Sequence, residues 1–159
     1  MKFIVKESKF NGKGCFAVEE IKKGEKITEL TGEIVSQDEI NKRIADGTER
    51  LDDPLQITEN QFIDLDRPSI FFNHSCDPNA GVRGKNELFA LKNIFKGEEI
   101  TYDYSSVVGK NIDWFMSCLC KCGSKNCRKK IGNVLTIPVK YLKNYKKKGV
   151  LPDFIKNQF

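Results

Sequence analysis

The sequence lacks the features of a membrane-spanning or exported protein. The apolar run near its amino terminus, Phe3–Val5, is far too short for the core of a signal peptide. Charged residues make up 31% of the chain, which excludes a membrane span, and 39% hydrophobic residues exclude global disorder. We therefore expect a globular protein that stays inside the cell, in the cytoplasm, the nucleus or the nucleoid.

Histidine is nearly absent. The chain has one, His74, and no cysteine, serine or aspartate forms a recognisable nucleophilic arrangement with it. This favours a hydrogen-bonded histidine in the core over a general base. The six cysteines are expected to be thiols or metal ligands, because a chain without an export signal stays in a compartment that keeps thiols reduced.

Acidic residues are missing from one long stretch. Between Lys121 and Lys148 there are ten lysines or arginines and no aspartate or glutamate, whereas the whole chain has a net charge of only +5. The remainder of the chain is therefore acidic, at a net charge of −5. Two interpretations are open: a solvated basic face without a partner, or a surface for an anionic partner such as nucleic acid.

Short β-type runs separated by glycine-bearing turns predict a mostly β fold with few short helices. A chain of 159 residues can form one domain, which buries roughly 70% of the surface of the unfolded chain. A boundary near Asp113 divides residues 1–112 from an appended segment, residues 113–159, within one compact unit. The predicted strands are Phe3–Val5, Cys15–Val18, Ile27–Leu30, Glu33–Val35, Gln56–Ile57, Phe62–Leu65, Leu88–Leu91 and Ile100–Tyr104.

Two helices are predicted. Ser36 and Glu39 have the Ser-x-x-Glu spacing of a capping box, apolar residues follow at helical spacing, and Gly47 would end this helix. Near the carboxyl terminus, Pro138 opens and Gly149 closes a second helical pattern. The fold is therefore expected to be β-rich, with one inserted helix and one terminal helix.

Cysteine spacing predicts a metal site. Cys120, Cys122 and Cys127 lie within eight residues, too close together for disulfide partners but able to converge on one ion. A structural zinc takes four ligands. Cys76, next to an Asp-Pro-Asn turn, is the simplest fourth ligand, and Cys118 is its rival.

Two further motifs carry weaker signals. Gly12 and Gly14 lie in a loop without the third glycine of a dinucleotide motif, so either a ligand loop or a tight turn explains them. A turn at Gly97 leads into a predicted strand that ends in Tyr102 and Tyr104 on the same face. Tyrosines in such positions are commonly core residues with hydroxyls at the rim.

In this order, the motifs resemble the SET-domain protein lysine methyltransferases that carry a zinc-binding post-SET segment. The resemblance covers roughly residues 1–132 and implies small β-sheets around a pseudoknot, with residues 1–112 as the SET domain and 113–159 as the post-SET segment and basic helix. The motifs that carry it are Gly-Lys-Gly-Cys-Phe-Ala (12–17), Gly-Glu-Ile (32–34), Asn-His-Ser-Cys-Asp-Pro-Asn (73–79), Gly-Glu-Glu-Ile-Thr-Tyr-Asp-Tyr (97–104) and Cys-x-Cys-Gly-x-x-x-Cys-Arg (120–128).

The resemblance implies S-adenosylmethionine as cofactor and structural zinc. Tyr104 aligns with the catalytic tyrosine of the family, and Tyr102 with the position that limits the product to monomethyl-lysine. Zinc would be held by four thiols: Cys76, Cys120, Cys122 and Cys127. The cofactor would be bound by a glycine loop and a central motif together with the catalytic tyrosine: Gly12, Lys13, Gly14, Cys15, Phe72, Asn73, His74 and Tyr104.

The implied substrate is a lysine in an extended peptide of a histone or another basic DNA-associated protein. The sequence departs from the family at Leu55–Ile57, where many members have an aromatic residue, so the lysine channel is expected to be wider or differently polar on that side. The alternative is a catalytically weak SET-like binding module that docks on nucleic acid or a chromatin-like complex. Nothing in the sequence indicates the oligomeric state.

Overall fold

The computed structural model describes residues 1–50, 53–113 and 118–159, and it is mostly β with few short helices, which confirms the predicted class. Single turns of 3₁₀ helix lie at Ser69–Phe71, Tyr104–Val107 and Val134–Thr136. The α-helices are α1 (Gln37–Ala45), α2 (Val139–Lys148) and α3 (Asp153–Lys156). The strands are β1 (Phe3–Glu7), β2 (Lys13–Ala17), β3 (Lys26–Glu29), β4 (Gly32–Ser36), β5 (Leu55–Gln56), β6 (Gln61–Leu65), β7 (Ala80–Arg83), β8 (Glu87–Ala90), β9 (Cys118–Leu119) and β10 (Lys130–Ile131).

The named strands pair antiparallel in four small sheets. β1 and β2 form a hairpin in which Phe3 lies opposite Ala17, and β9 pairs with β10. β8 lies between β3 and β7, and β6 lies between β4 and β5. Since β6 is central in its sheet, Phe62 and the next residue, Ile63, are both buried, whereas Ile34 on β4 is half exposed.

The predicted helix ends are confirmed. The Ser36 hydroxyl accepts a hydrogen bond from the Glu39 backbone N–H at 3.2 Å, which is one of the two bonds of a capping box. The Glu39 carboxylate instead accepts a hydrogen bond from Arg43 Nε. α1 ends at Ala45, two residues before Gly47. α2 ends at Lys148 and is capped by Gly149, which has a φ of 68°, a left-handed conformation that glycine adopts without steric cost.

The prediction of a strand over Ile100–Tyr104 is wrong. Tyr102 forms only an isolated bridge to His74, and a 3₁₀ turn begins at Tyr104. The turn forms because the Asp103 carboxylate accepts the Ser105 N–H and caps it. The sequence also gave no sign of β7, in which a glycine interrupts the apolar pattern, or of the short α3.

The carboxyl-terminal helices have an apolar cluster of their own on the β7–β8 hairpin. Gly81 of β7 allows this contact, because a Cβ there would lie 2.5 Å from Val150 Cγ1. The α2–α3 connection is also tied to the hairpin, since the Asp153 N–H donates to the Gly84 carbonyl at 2.9 Å. The cluster consists of Phe89, Leu91, Val134, Ile137, Tyr145, Val150, Leu151 and Ile155.

The predicted appended segment begins at Asp113, and its next residues, 114–117, lie outside the described residues. Across the ranges that the structure describes, every helix is too short or too polar to cross a bilayer.

Candidate active site and metal centre

The two central motifs of the sequence lie side by side. His74 and Tyr102 form a parallel bridge, in which the Tyr102 N–H donates to the Asn73 carbonyl at 3.1 Å and the Ser75 N–H donates to the Tyr102 carbonyl at 3.0 Å. These bonds join the Asn73–Ser75 segment to the segment that carries Tyr102 and Tyr104. They fix the histidine and the two tyrosines relative to each other.

Tyr104 is held at both ends. Its hydroxyl donates to the Phe72 carbonyl at 2.9 Å, and its backbone N–H donates to His74 Nδ1 at 3.1 Å. Its ring centroid lies 4.8 Å from that of Tyr102, and both tyrosines are buried. The Tyr104 oxygen therefore has a fixed position, with its hydrogen directed at Phe72 and its lone pairs directed elsewhere.

Asn73 is the centre of an amide network. Its Nδ2 donates to the Lys13 carbonyl at 2.9 Å and to Glu99 Oε1 at 2.7 Å, while its Oδ1 accepts from Asn11 Nδ2 at 3.1 Å. The Ser8 hydroxyl donates to the other oxygen of the Glu99 carboxylate at 3.0 Å. Both hydrogens of the Asn73 side chain are thus used, which fixes its orientation.

This network explains Gly14. A Cβ at this position would lie 2.2 Å from Glu99 Oε1, so only glycine lets the carboxylate reach Asn73. Gly12, in contrast, has a φ of 53° and open space around it, as a tight turn requires. Sequence reasoning gave Glu99 no role, because the spacing of two adjacent glutamates does not tell which one turns inward.

A pocket of about 230 Å³ lies between this network and the cysteine segment. Of the predicted cofactor residues, Asn73, His74 and Tyr104 line it. Residues for which no cofactor role was predicted complete the lining: Phe10, Asn11, Arg50, Leu119, Cys120, Lys121, Cys122 and Ile131.

The other predicted cofactor residues do not line the pocket; they are Gly12, Lys13, Gly14, Cys15 and Phe72. Lys13 and Phe72 contribute carbonyl oxygens to Asn73 and Tyr104. The Cys15 side chain is fully buried, and burial raises the pKa of its thiol to about 12, so it behaves as a neutral core residue.

The lining has the chemistry that S-adenosylmethionine needs. Phe10 offers an aromatic ring for the adenine, and Asn11 and Asn73 offer amides for the polar groups of the cofactor. Arg50 and Lys121 offer cations for its carboxylate.

A thiol cluster adjoins the pocket. The sulfurs of Cys76, Cys120 and Cys122 and the Nε2 atom of His74 all lie within 4.8 Å of one another. The Cys76 and Cys120 sulfurs are 3.7 Å apart. Two thiolates at about 2.3 Å from a tetrahedral zinc are separated by nearly this distance, so the cluster suits that metal.

Cys122 is the most acidic thiol of the cluster. Burial raises the pKa of the Cys122 thiol. Hydrogen bonds from the Cys76 N–H, at 3.5 Å, and from Ser124 lower it by more, so the pKa of Cys122 is lowered to about 6. Cys118 lies outside the cluster, in β9 opposite Ile131. The thiols thus converge in the register that contains Cys120 and Cys122.

His74 contributes a ring nitrogen to the converging group, but its hydrogen bonding does not favour it as the fourth ligand. Its Nδ1 accepts the Tyr104 N–H, so a neutral ring carries its proton on Nε2, which lies 3.2 Å from the Cys76 sulfur. A zinc-bound imidazole has the opposite arrangement and donates from its second nitrogen. The predicted fourth thiol, Cys127, is not part of the group of converging ligand atoms. It lies beside Cys120, with its sulfur 3.5 Å from the Cys120 carbonyl oxygen.

Leu55–Ile57, where an aromatic residue was missing, is buried. The Gln56 side chain is fully enclosed, and its Oε1 accepts the Gly109 N–H at 2.7 Å. Gln56 therefore ties β5 to the chain that follows the 3₁₀ turn at Tyr104.

Comparison with known proteins agrees with this geometry. Residues 12–105 match the SET domain family. The chain is 36% identical over 141 residues to the variant-silencing SET domain-containing protein of Plasmodium falciparum, and 34% identical over 141 and 135 residues to histone-lysine N-methyltransferases of Debaryomyces hansenii (H3 lysine-36 specific) and Arabidopsis thaliana. The alignments cover 77%, 79% and 76% of this chain but only 5%, 18% and 36% of those relatives.

A solved structure agrees as well. The methyltransferase domain of human histone-lysine N-methyltransferase SETMAR is similar with a TM-score of 0.67 and 26% identity, over 82% of this chain and 58% of that one. The cysteine cluster beside the pocket fits a post-SET zinc site. The matched residues and the shared fold together show that the chain belongs to the SET domain family, among relatives that are histone-lysine methyltransferases.

Proposed function

We propose that the protein is an S-adenosylmethionine-dependent protein lysine N-methyltransferase. The observation that carries this proposal is Tyr104, whose buried hydroxyl is fixed to the Phe72 carbonyl at the wall of the pocket, beside Tyr102. A binding module has no need for a tyrosine oxygen held in this way. The relatives named above, which are histone-lysine methyltransferases, support the same reaction.

The cofactor would lie in the pocket against Asn73, His74 and Tyr104, with the Gly12–Cys15 loop and Phe72 behind them. S-Adenosylmethionine supplies the methyl group together with its own leaving group. The work left to the protein is to hold the lysine amine in line and to keep water out.

The substrate amine must lose its proton before it can react. A lysine with a pKa of about 10.4 costs about 4–5 kcal/mol to deprotonate at pH 7. Tyr102 and Tyr104 are buried, and a site that excludes water beside them would lower the pKa of an amine that enters it. The Tyr104 oxygen orients the amine through its lone pairs, whereas a phenol with a pKa of about 10 is a poor base at this pH.

Zinc would be held by Cys76, Cys120, Cys122 and Cys127. Three of these sulfurs converge, the fourth lies beside Cys120, and the His74 tautomer leaves the fourth position to a thiol. The metal would fix the wall of the pocket that carries Cys120 and Cys122.

The proposed acceptor is a lysine in an extended segment of a histone or another basic DNA-associated protein. The Debaryomyces hansenii relative is specific for lysine-36 of histone H3, which makes H3 the first acceptor to test. Such a substrate would be met in the nucleus or nucleoid, or in the cytoplasm before its assembly. We further propose that the main product is monomethyl-lysine, because Tyr102 lies against Tyr104.

The test is incubation of the full chain with radiolabelled S-adenosylmethionine and purified histone H3, with Tyr104→Phe as the comparison. We expect label on a lysine of H3 and a loss of about 100-fold or more in rate for Tyr104→Phe. Transfer to no histone and to no basic DNA-binding protein would refute the proposed function. In that case the binding-module alternative becomes the better description.

A second candidate function is docking on nucleic acid through the basic segment. Lys140, Lys143 and Lys147 are exposed at i, i+3 and i+7 of α2, on the face opposite the buried Tyr145. They cover about 10 Å of the helix axis, a length along which several DNA phosphates lie. This surface would bring the enzyme to a chromatin-like substrate without taking part in the chemistry.

A further inference from the structure

The Asp103 carboxylate joins segments of the chain that are far apart in sequence. It is 1% exposed, and its two oxygens accept hydrogen bonds from Arg128 Nη1 and Nη2, at 2.9 and 2.6 Å. Its Oδ1 accepts the Ser105 N–H at 3.1 Å, and its Oδ2 accepts the Tyr145 hydroxyl at 3.0 Å. Four donors from three parts of the chain therefore converge on one carboxylate.

A carboxylate buried to this degree needs hydrogen-bond donors in place of the water that it has lost. Arg128 supplies the opposite charge, and Ser105 and Tyr145 supply the remaining donors. Burial and the charge of Asp103 raise the pKa of Tyr145, so the phenol keeps its proton and remains a donor. Loss of the Tyr145 hydroxyl would leave Oδ2 with Arg128 as its remaining donor among those described.

Tyr145 reaches Asp103 from a part of the chain that the SET match does not include. The match ends at residue 105, whereas Tyr145 lies on α2, which packs on the β7–β8 hairpin through the carboxyl-terminal apolar cluster. The Tyr145 hydroxyl is a direct side-chain link from that helix to the Tyr102–Tyr104 segment.

Asp103 lies between the two tyrosines of the site. The backbone is held on one side by the bond from Tyr102 N–H to the Asn73 carbonyl and on the other by the bond from Tyr104 N–H to His74 Nδ1. The segment is also attached through the Tyr102 carbonyl, which accepts the Ser75 N–H, and through the Tyr104 hydroxyl, which donates to the Phe72 carbonyl. The Asp103 side chain adds a further attachment between the two tyrosines. A change in its position therefore acts on the Tyr104 backbone directly.

We propose that Tyr145 is a positioning residue for methyl transfer, which holds Asp103 and thereby the Tyr104 hydroxyl in the pocket. The inference rests on the proposed function of Tyr104. A displacement of about 1 Å at a reacting group costs about 100-fold in rate. Because three of the four donors to Asp103 remain when Tyr145 loses its hydroxyl, we expect a smaller loss, about tenfold in kcat.

The experiment compares Tyr145→Phe and Tyr141→Phe in the full chain. Both variants remove one hydroxyl from α2, and Tyr141 is half-buried against the same cluster without a described bond to Asp103. In Tyr145→Phe we expect hydrogen exchange at the Tyr104 amide to become about tenfold faster. Exchange at the amides of β6 should stay unchanged, and kcat with histone H3 should fall about tenfold at an unchanged KM for S-adenosylmethionine. Tyr141→Phe should change neither Tyr104 exchange nor kcat.

Unchanged exchange at Tyr104 in Tyr145→Phe would overturn the inference, with or without a known acceptor protein. Equal losses of kcat in the two variants would also overturn it, since the effect would then belong to the helix as a whole. If the unmutated chain methylates no acceptor, the proposed function fails, and the exchange measurement still decides whether Tyr145 positions Tyr104.

Discussion

The wall of the pocket that carries Asn73 and the wall that carries Cys120 and Cys122 are held in different ways. On the first, which we call the amide wall, Asn73 bonds to Lys13 and Glu99, and Lys13 begins a five-residue ladder between β1 and β2. On the second, the thiol wall, the regular pairing nearby is the two-residue ladder of β9 and β10. The amide wall is part of the sheet structure, whereas the thiol wall is a loop around a cluster of sulfurs.

This difference predicts which perturbation each wall tolerates. The bonds of the amide wall are satisfied within the protein, so the wall is formed before any ligand arrives. Thiols packed against each other attract one another weakly, and a bound cation turns the same cluster into a strong crosslink. Substitutions that alter side-chain packing should therefore disturb the amide wall, whereas removal of the metal should disturb the thiol wall.

Removal of zinc is the strongest test of this contrast. We expect chelation to abolish methyl transfer, with a loss of about 100-fold or more, because the thiol wall loses its position. Far-UV circular dichroism should change little, since the main apolar core lies among the sheets and does not need the metal. Metal analysis of the protein, followed by activity and dichroism before and after chelation, measures both effects.

Cys120→Ser and Cys118→Ser form a matched pair for the same test. Cys120 belongs to the cluster and Cys118 lies outside it, so only the first substitution should release zinc. Fully active protein without zinc would refute the metal site. Release by Cys118→Ser alone would assign the ligands to the other register.

Gly14→Ala tests the amide wall. The added Cβ would lie 2.2 Å from Glu99 Oε1, so the carboxylate must move and its bond to Asn73 breaks. A hydrogen bond to a charged group contributes about 1.5–3 kcal/mol, so we expect the Kd for S-adenosylmethionine to rise between about 10-fold and 100-fold. Isothermal titration of the zinc-loaded protein measures it.

Glu98→Gln is the control for Gly14→Ala. Glu98 is exposed and accepts the Phe95 N–H, so its substitution leaves Asn73 untouched. Equal cofactor affinity in Gly14→Ala and the unmutated chain would show that Asn73 does not need Glu99 to bind the cofactor. The zinc content should be the same in all three proteins, because these substitutions do not touch the thiol wall.

Local signals explain what could be predicted from the sequence. Ser36 and Glu39 cap α1 as their spacing predicts, and Gly149 closes α2, because these interactions lie within a few residues of each other. The resemblance also grouped Tyr104 with Asn73 and His74, and these three residues line one pocket. Where a rule links nearby residues, the sequence carries enough information.

Side-chain bonds between distant residues explain what could not be predicted. Ile100–Tyr104 has the alternation of a strand, but Asp103 is drawn inward by Arg128 and caps a 3₁₀ turn instead. The role of Glu99 depends on the space left by Gly14, which no local pattern reveals. Whether His74 or Cys127 is the better metal ligand depends on the hydrogen bond from the Tyr104 N–H to His74 Nδ1, which joins residues far apart in the chain.

Tyr102→Phe is expected to change the number of methyl groups on the product lysine more than it changes the two walls of the pocket. The Tyr102 ring centroid lies 4.8 Å from that of Tyr104, and its hydroxyl can hold a water molecule where a second methyl group would sit. A difference of about 1.4 kcal/mol changes relative rates tenfold, so one hydroxyl is enough to set the product. We expect monomethyl-lysine from the unmutated enzyme and di- or trimethyl-lysine from Tyr102→Phe. Mass spectrometry over a long time course measures this, and abundant trimethyl-lysine from the unmutated enzyme would contradict it.

The smallest effect on catalysis is expected from the outer face of α2, which belongs to neither wall. Lys140, Lys143 and Lys147 are exposed, while Tyr145 of the same helix is buried. Replacing the three lysines by glutamine should leave the rate on a short H3 peptide unchanged. The slope of log affinity for duplex DNA against log salt should fall by about 2–3 units, because about 0.9 counterions are released per neutralised phosphate.

Tyr145→Phe is the matched opposite of this triple variant. It should lower the peptide rate and leave DNA affinity and its salt dependence unchanged, since its hydroxyl donates to Asp103 and does not face solvent. One helix would then serve catalysis through its buried side and docking through its exposed side. If the triple lysine variant methylates the peptide more slowly, the exposed face of α2 is instead part of the peptide channel. If the salt dependence of its DNA affinity is unchanged, these lysines form a solvated face without a nucleic-acid partner.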